Sequence, residues 1–257
     1  GCASTTVSSA FDVDAASNAL ETVVDAHPDD RKVLDRLSAL YEKHGRASDR
    51  ARTMHRILPL AEGEEARAMR LELAALLCDP LDAKEDAFEL LKESEILWPN
   101  DLDVLRALQS TVQGLDRPEE EENILRKLAE NTEAPEKHDL LVEAGFVSLR
   151  RLENTHDALT RVREVLKESE VHDGALALCR NIFEEDEDMK QEAAQLLAPA
   201  LRIIEDANGL VPVLETLEEH ATSPNERASY HTELADLYLG PLQSTVLGQV
   251  HLRTALE

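Results

Sequence analysis

Aromatic residues are few in this 257-residue chain: one Trp, three Tyr and four Phe. That scarcity argues against a stacking platform for single-stranded nucleic acid, which needs exposed rings for successive bases. Cations are short as well. Nineteen Arg and eight Lys face 53 carboxylates, leaving a formal net charge of −26. Such a surface repels DNA, RNA and anionic lipid, because binding polyphosphate relies on Lys and Arg. The nine glycines never form GxGxxG or GxxxxGK[ST], so no phosphate loop is present. No HExxH occurs either. Cys2, Cys78 and Cys179 are odd in number, far apart and without CxxC, which argues against a disulfide framework and a zinc site. Cys78 and Cys179 each sit in a leucine-rich helical stretch and are expected to be buried thiols. No run approaches the roughly 18 apolar residues of a membrane span. No cofactor and no catalytic activity are expected.

What remains is rich in Ala, Leu, Glu and Arg, the good helix formers. Val and Ile are scattered without alternation, so strands have little support. At 42% hydrophobic, the chain is too apolar and too regular for a disordered acidic tail. Hydrophobic spacing and stop signals predict an all-α chain. Its helices fall near 13–26, 30–44, 48–61, 65–78, 83–97, 101–113, 118–131, 136–150, 156–169, 173–184, 189–206, 208–220, 225–239 and 243–256. Pro199 is expected to kink the eleventh. Pro118 and the glutamates 119–122 form a helix N-terminus rather than a metal site, because carboxylates there meet the positive end of the dipole. The run 184–188, EEDED, lacks the Gly and spacing of a calcium loop and is expected to be a solvated turn.

Self-similarity sets the architecture. LAALLCDPLDAKEDAF (73–88), AGFVSLRRLENTHDAL (144–159) and LADLYLGPLQSTVLGQ (234–249) align without a gap. Large residues recur at Leu76, Val147 and Leu237, and at Leu81, Leu152 and Leu242. Small ones recur at Ala74, Gly145 and Ala235, and at Ala87, Ala158 and Gly248. A small residue in an apolar stripe lets a second helix approach closely. Each window therefore reads as helix, turn, helix. A hairpin of this kind cannot bury its apolar face alone and must stack on neighbours.

Residues 31–45, RKVLDRLSALYEKHG, resemble the first helix of a tetratricopeptide repeat. Leu34, Leu37, Ser38, Tyr41 and Gly45 occupy its large, large, small, large and turn positions. AFELLKESEILWPND (87–101) is similar to the second helix with its Pro-Asn/Asp closure. That closure recurs at His27-Pro28-Asp29-Asp30. The stripe Ala87, Leu90, Leu91, Ser94 and Leu97 is its buried face, and Trp98 is expected to be a packing plug rather than a ligand platform. The resemblance covers most of the chain from about residue 15, with extra turn residues around 79–85 and 151–156 and three successive helices between 173 and 221. It implies a right-handed α-solenoid of antiparallel helix pairs over 13–257, about 14 helices, of the kind found in divergent bacterial arrays. Residues 1–12 would be a poorly ordered start or an artificial boundary. The implied role is a non-catalytic protein-interaction scaffold that takes a partner's peptide or helix in its concave groove. The alternative is a structural spacer in a larger repeat protein or a lipid-anchored envelope protein. GCASTT resembles a bacterial lipoprotein junction, with Cys2 as the lipidated residue. The expected compartment is the bacterial cytoplasm, with the periplasm or outer membrane as the alternative.

One segment departs from the acidic background. Between 31 and 56, eight cations stand against Asp35, Glu42 and Asp49. Lys32 and Arg36 are four apart and share a helical face. By the resemblance, Lys32, Arg36, Ala39 and Lys43 match groove-facing slots, where cations would hold a carboxylate of a protein or peptide partner. The other reading is that these cations neutralise acidic helices beside them.

Overall fold

A computed structural model describes residues 3–256, with side chains from Asp14 onward. Cys2 and the side chains of the 1–12 segment lie outside the described residues. All regular structure among those described is helical, and the chain divides into two compact units at Arg117/Pro118.

The first unit holds α1 (Ala3–Ala26), α2 (Arg31–Lys43), α3 (Ala47–Ile57), α4 (Gly63–Cys78), α5 (Lys84–Leu97) and α6 (Leu102–Val112), with a short 3-10 turn, Leu58–Leu60, after α3. Each helix packs on the next, and α4 also touches α6. That order is a stack of antiparallel pairs. The Pro-Asp closures act as expected: Asp30 accepts from the Lys32 and Val33 amides, and Asp101 from the Val104 amide. Such caps satisfy backbone donors that the first turn leaves open. Val24, Leu34, Leu37, Tyr41 and Ile57 form one buried cluster joining α1, α2 and α3. Fully burying one such leucine contributes roughly 1.5–3 kcal/mol.

The second unit holds α7 (Pro118–Glu130), α8 (Glu136–Arg150), α9 (Thr155–Glu168), α10 (Asp173–Glu185), α11 (Lys190–Ile203), α12 (Ala207–Glu219), α13 (Pro224–Leu239) and α14 (Thr245–Thr254). Consecutive helices pack again, with added contacts of α8 to α10 and α9 to α11. Pro118 opens α7 with Glu119, Glu120 and Glu121 in its first turn. Glu121 is buried against Arg151, and Glu122 pairs with Arg161 at 3.2 Å. The glutamate run is thus tied to the arginine that caps α8 and to one of α9. Helix α11 continues across Pro199 to Ile203. The acidic run at 184–188 closes α10, where Asp186 Oδ1 accepts from the Asp188 and Met189 amides.

The three aligned windows are the hairpins α4/α5, α8/α9 and α13/α14. Their turns repeat residue for residue. Asp82, Glu153 and Gln243 each hold a positive φ, at 51°, 52° and 50°. The preceding leucine amides, of Leu81, Leu152 and Leu242, bond back to the Leu76, Val147 and Leu237 carbonyls. The small slots face one another across the α8/α9 and α13/α14 hairpins. A Cβ on Gly145 would lie 3.7 Å from the Ala158 carbonyl of α9, and one on Gly248 would lie 3.3 Å from the Ala235 carbonyl of α13. Close helix approach there requires the missing side chain.

Candidate functional site

Helix α2 sets the geometry of the candidate site. Its buried residues are Leu34, Leu37 and Tyr41. Lys32, Arg36, Ala39 and Lys43 are all exposed. At 3.6 residues per turn, the four fall within about 60° of arc, on the side away from the buried stripe, and span roughly 16 Å of helix. All four predicted residues therefore share one exposed stripe.

The structure sorts the eight cations of this segment into two groups. Arg31 pairs with Asp35 at 2.7 Å and with Glu65. Arg46 pairs with Asp49 at 2.7 Å and Asp14 at 3.0 Å. Arg50 reaches Glu42 at 3.3 Å and also Glu72. Arg52 reaches Asp49 at 2.9 Å and Glu21 at 3.3 Å. Arg56 donates to the Val24 carbonyl at 3.5 Å. The first four follow the neutralising reading, and between them they engage all three carboxylates of the segment. Lys32, Arg36 and Lys43 form no ion pair among the described residues. The hydrogen bond to Asp35, opposed by burial, holds the Arg31 guanidinium's pKa above its ordinary value.

Beneath the stripe, α2 is fixed by Tyr41. Its ring is buried and its hydroxyl donates to Glu21 Oε1 at 2.6 Å. The Arg46 guanidinium lies 4.9 Å from the ring centroid. Burial, reinforced by the bond to Glu21, pushes the Tyr41 hydroxyl up to about 12. The exposed cations thus stand on a helix anchored from its opposite face.

Two expectations about α5 meet the structure differently. Ala87, Leu90, Leu91 and Ser94 are buried, but Leu97 is 57% exposed and Ile96 81%. The buried stripe ends at Ser94 and Glu95, so the last turn of α5 presents its apolar residues outward. Trp98 is half-buried, and its amide caps α5 by donating to the Ser94 carbonyl at 2.9 Å.

Sequence spacing missed one cluster. His231 on α13 lies against His251 on α14, twenty residues away, with Tyr238 stacked on His251 at 5.5 Å. The signal lay just outside the 234–249 window, at positions 231 and 251. These histidines flank the hairpin on either side of its turn, where antiparallel helices bring such positions together. Elsewhere, His138 Nε2 lies 3.1 Å from Glu168 Oε2, and His172 caps α10 by accepting from the Ala175 amide. Among the described residues, no group of three or more His, Cys, Asp or Glu converges as a metal site, and no helix is long and apolar enough to cross a membrane.

No family model matches the chain, and no curated protein is similar to it. Solved structures are. A tetratricopeptide repeat protein from Parabacteroides merdae is 12% identical, with 88% of this chain and 92% of that one covered at a TM-score of 0.43. The C-terminal part of a repeat-containing protein from Cytophaga hutchinsonii is 11% identical, with 92% and 94% covered and a TM-score of 0.43. YrrB, described as a tetratricopeptide protein with an unusual peptide-binding site, is 15% identical, with 68% and 88% covered and a TM-score of 0.41.

Proposed function

We propose that this chain is a non-catalytic interaction module, and that the stripe Lys32, Arg36, Ala39 and Lys43 anchors a carboxylate-bearing segment of a protein partner. The observation that carries this reading is the division among the cations of residues 31–56. The arginines at 31, 46, 50 and 52 neutralise local acids, whereas the three cations of the stripe have no acidic partner among the described residues. Unpaired cations in so acidic a chain are the groups with charge to offer a ligand.

The stripe suits an extended peptide or a helix better than a small molecule. Its charges are spaced along roughly 16 Å of one helix rather than gathered in a pocket. Ala39 leaves a shallow gap between Arg36 and Lys43 where a ligand backbone can lie close. Arg36 adds a planar fork that bonds a carboxylate through two parallel donors, while Lys32 and Lys43 act as point charges. The −26 background does not cancel this attraction, because charges beyond about 8 Å are largely screened at physiological salt.

Fluorescence anisotropy with a labelled Glu-rich peptide bearing a free C-terminal carboxylate tests the proposal. Saturable binding is expected, weakened by salt, and lost in the triple variant K32E/R36E/K43E while its circular dichroism stays helical. Equal affinity for a Lys-rich control peptide, or unchanged binding by the triple variant, would overturn it.

A further inference from the structure

Helix α14 is held by little apolar packing. Its one buried residue is Gly248, and it packs chiefly on α13. Beside the close approach at Gly248, a polar contact joins the two. His231 Nδ1 and His251 Nδ1 lie 3.0 Å apart. Their ring centroids are 5.3 Å apart. The difference between those distances is taken up by the two ring radii, so the nitrogens meet head-on.

That contact needs one proton on the line between the nitrogens. Two lone pairs would repel, and two N–H groups would collide. A metal ion bonded to both at about 2.0–2.1 Å would force them to roughly 4 Å in a head-on arrangement, so the geometry fits a shared proton and not a cation. His231 Nε2 faces Glu218 Oε1 of α12 at 3.5 Å, which favours a proton on that nitrogen. In the neutral pair, His251 then donates and His231 accepts. A first added proton preserves the bond, because one ring nitrogen still donates and the other still accepts. A second proton leaves no acceptor, and two cations face each other.

We infer that the His231–His251 pair is an acid-sensitive latch, in which uptake of the second proton releases α14 from α13. The inference is independent of the α2 stripe. The groups facing the pair from the neighbouring helices are Glu215 and Glu218 on α12, with Arg227 and Tyr238 on α13. Arg227 Nε shares Glu218 Oε1 at 3.1 Å and so draws off part of its compensating charge. Burial first, then His231, holds His251 below its ordinary value of 6.5, against the opposing pull of Glu215 and Glu218. A depressed histidine stabilises the docked state above its ordinary value, and that contribution is lost as pH falls below it. Release therefore sets in on acidification, as pH falls below 6.5.

Hydrogen–deuterium exchange on the full chain tests the latch, with α8 as the internal reference and intrinsic exchange corrected for pH. Between pH 7.5 and 4.5, α14 should lose at least tenfold protection relative to α8. His251→Phe keeps a ring on Tyr238 but takes no proton, and should abolish the loss. His231→Gln can accept from or donate to His251 in either state and should abolish it too. It decides the matter if His251→Phe leaves α14 unprotected at pH 7.5. An equal acid-induced loss in the folded variants, or no loss in the wild type, overturns the latch.

Discussion

Tyr41 donates its hydroxyl to Glu21 Oε1 at 2.6 Å and so ties α2 to α1 on the side away from the cationic stripe. Removing that donor isolates the tie. Tyr41→Phe keeps the buried ring and should cost about 1 kcal/mol in urea unfolding at pH 8, the net worth of a bond to a partly exposed carboxylate. The bond also has a pH signature. The Tyr41 hydroxyl is raised from 10.0 to about 12. A raised group stabilises fully below its unfolded value, and that contribution fades as pH rises through the folded one. Wild type should therefore lose more stability than Tyr41→Phe between pH 10 and 12. Parallel curves for the two proteins would contradict this assignment.

Gly145 faces Leu178 across the join of α8 and α10, and a Cβ there would come within 2.5 Å of Leu178 Cδ2. Leu178 is fully buried and cannot swing clear. Gly145→Val should thus destabilise by about 2 kcal/mol through overpacking. At Gly114 an added Cβ meets only the flexible end of Lys84. Gly114→Ala should stay within about 0.5 kcal/mol of wild type. Thermal unfolding of the pair checks the contrast.

The three left-handed turn residues are not glycines, and this explains part of what the sequence hid. The windows at 73–88, 144–159 and 234–249 gave the helix pairs and the small contact slots, because large and small residues recur visibly. The turn geometry was not legible, since Asp82, Glu153 and Gln243 share a conformation but no chemistry. The end of α11 was missed for the same reason. Glu205, at φ 55°, closes the helix after Ile203 where no glycine or proline marks a stop. A left-handed position costs an L-residue roughly 1–2 kcal/mol. Glu153→Gly should therefore raise stability by up to about 1 kcal/mol, the remainder being lost to the greater freedom of unfolded glycine. A fall in melting temperature would count against the strained turn.

The candidate stripe was legible for a different reason. Local charge excess is a sequence property, and helical spacing placed Lys32, Arg36 and Lys43 together. Which cations would be spent on neighbours was not legible. Arg31 and Arg50 pair with Glu65 and Glu72 of α4, more than twenty residues away, and only packing brings those carboxylates near. Leu97 was misplaced because periodicity does not show where a neighbouring helix ends.

Cys179 is buried, and burial pushes its thiol up to about 12. Its Sγ donates to the Ala193 carbonyl at 3.4 Å. The thiolate is the reactive form, so Cys179 should resist Ellman's reagent at pH 8 in the native protein and react only after unfolding. Half-buried Cys78 should label before Cys179. Mass spectrometry of the labelled peptides distinguishes the two, and early labelling of Cys179 would contradict its burial.

The most direct measurement is the affinity of the Glu-rich peptide for two charge-reversed proteins. K32E/R36E/K43E removes the cations that stand free on α2, and Arg52→Glu removes one already engaged by Asp49 and Glu21. Both change charge within the same segment. The proposal predicts at least tenfold weaker binding in the triple variant and little change in Arg52→Glu, with both proteins helical by circular dichroism. Equal losses per reversed charge would mean that bulk charge, and not the stripe, governs the contact.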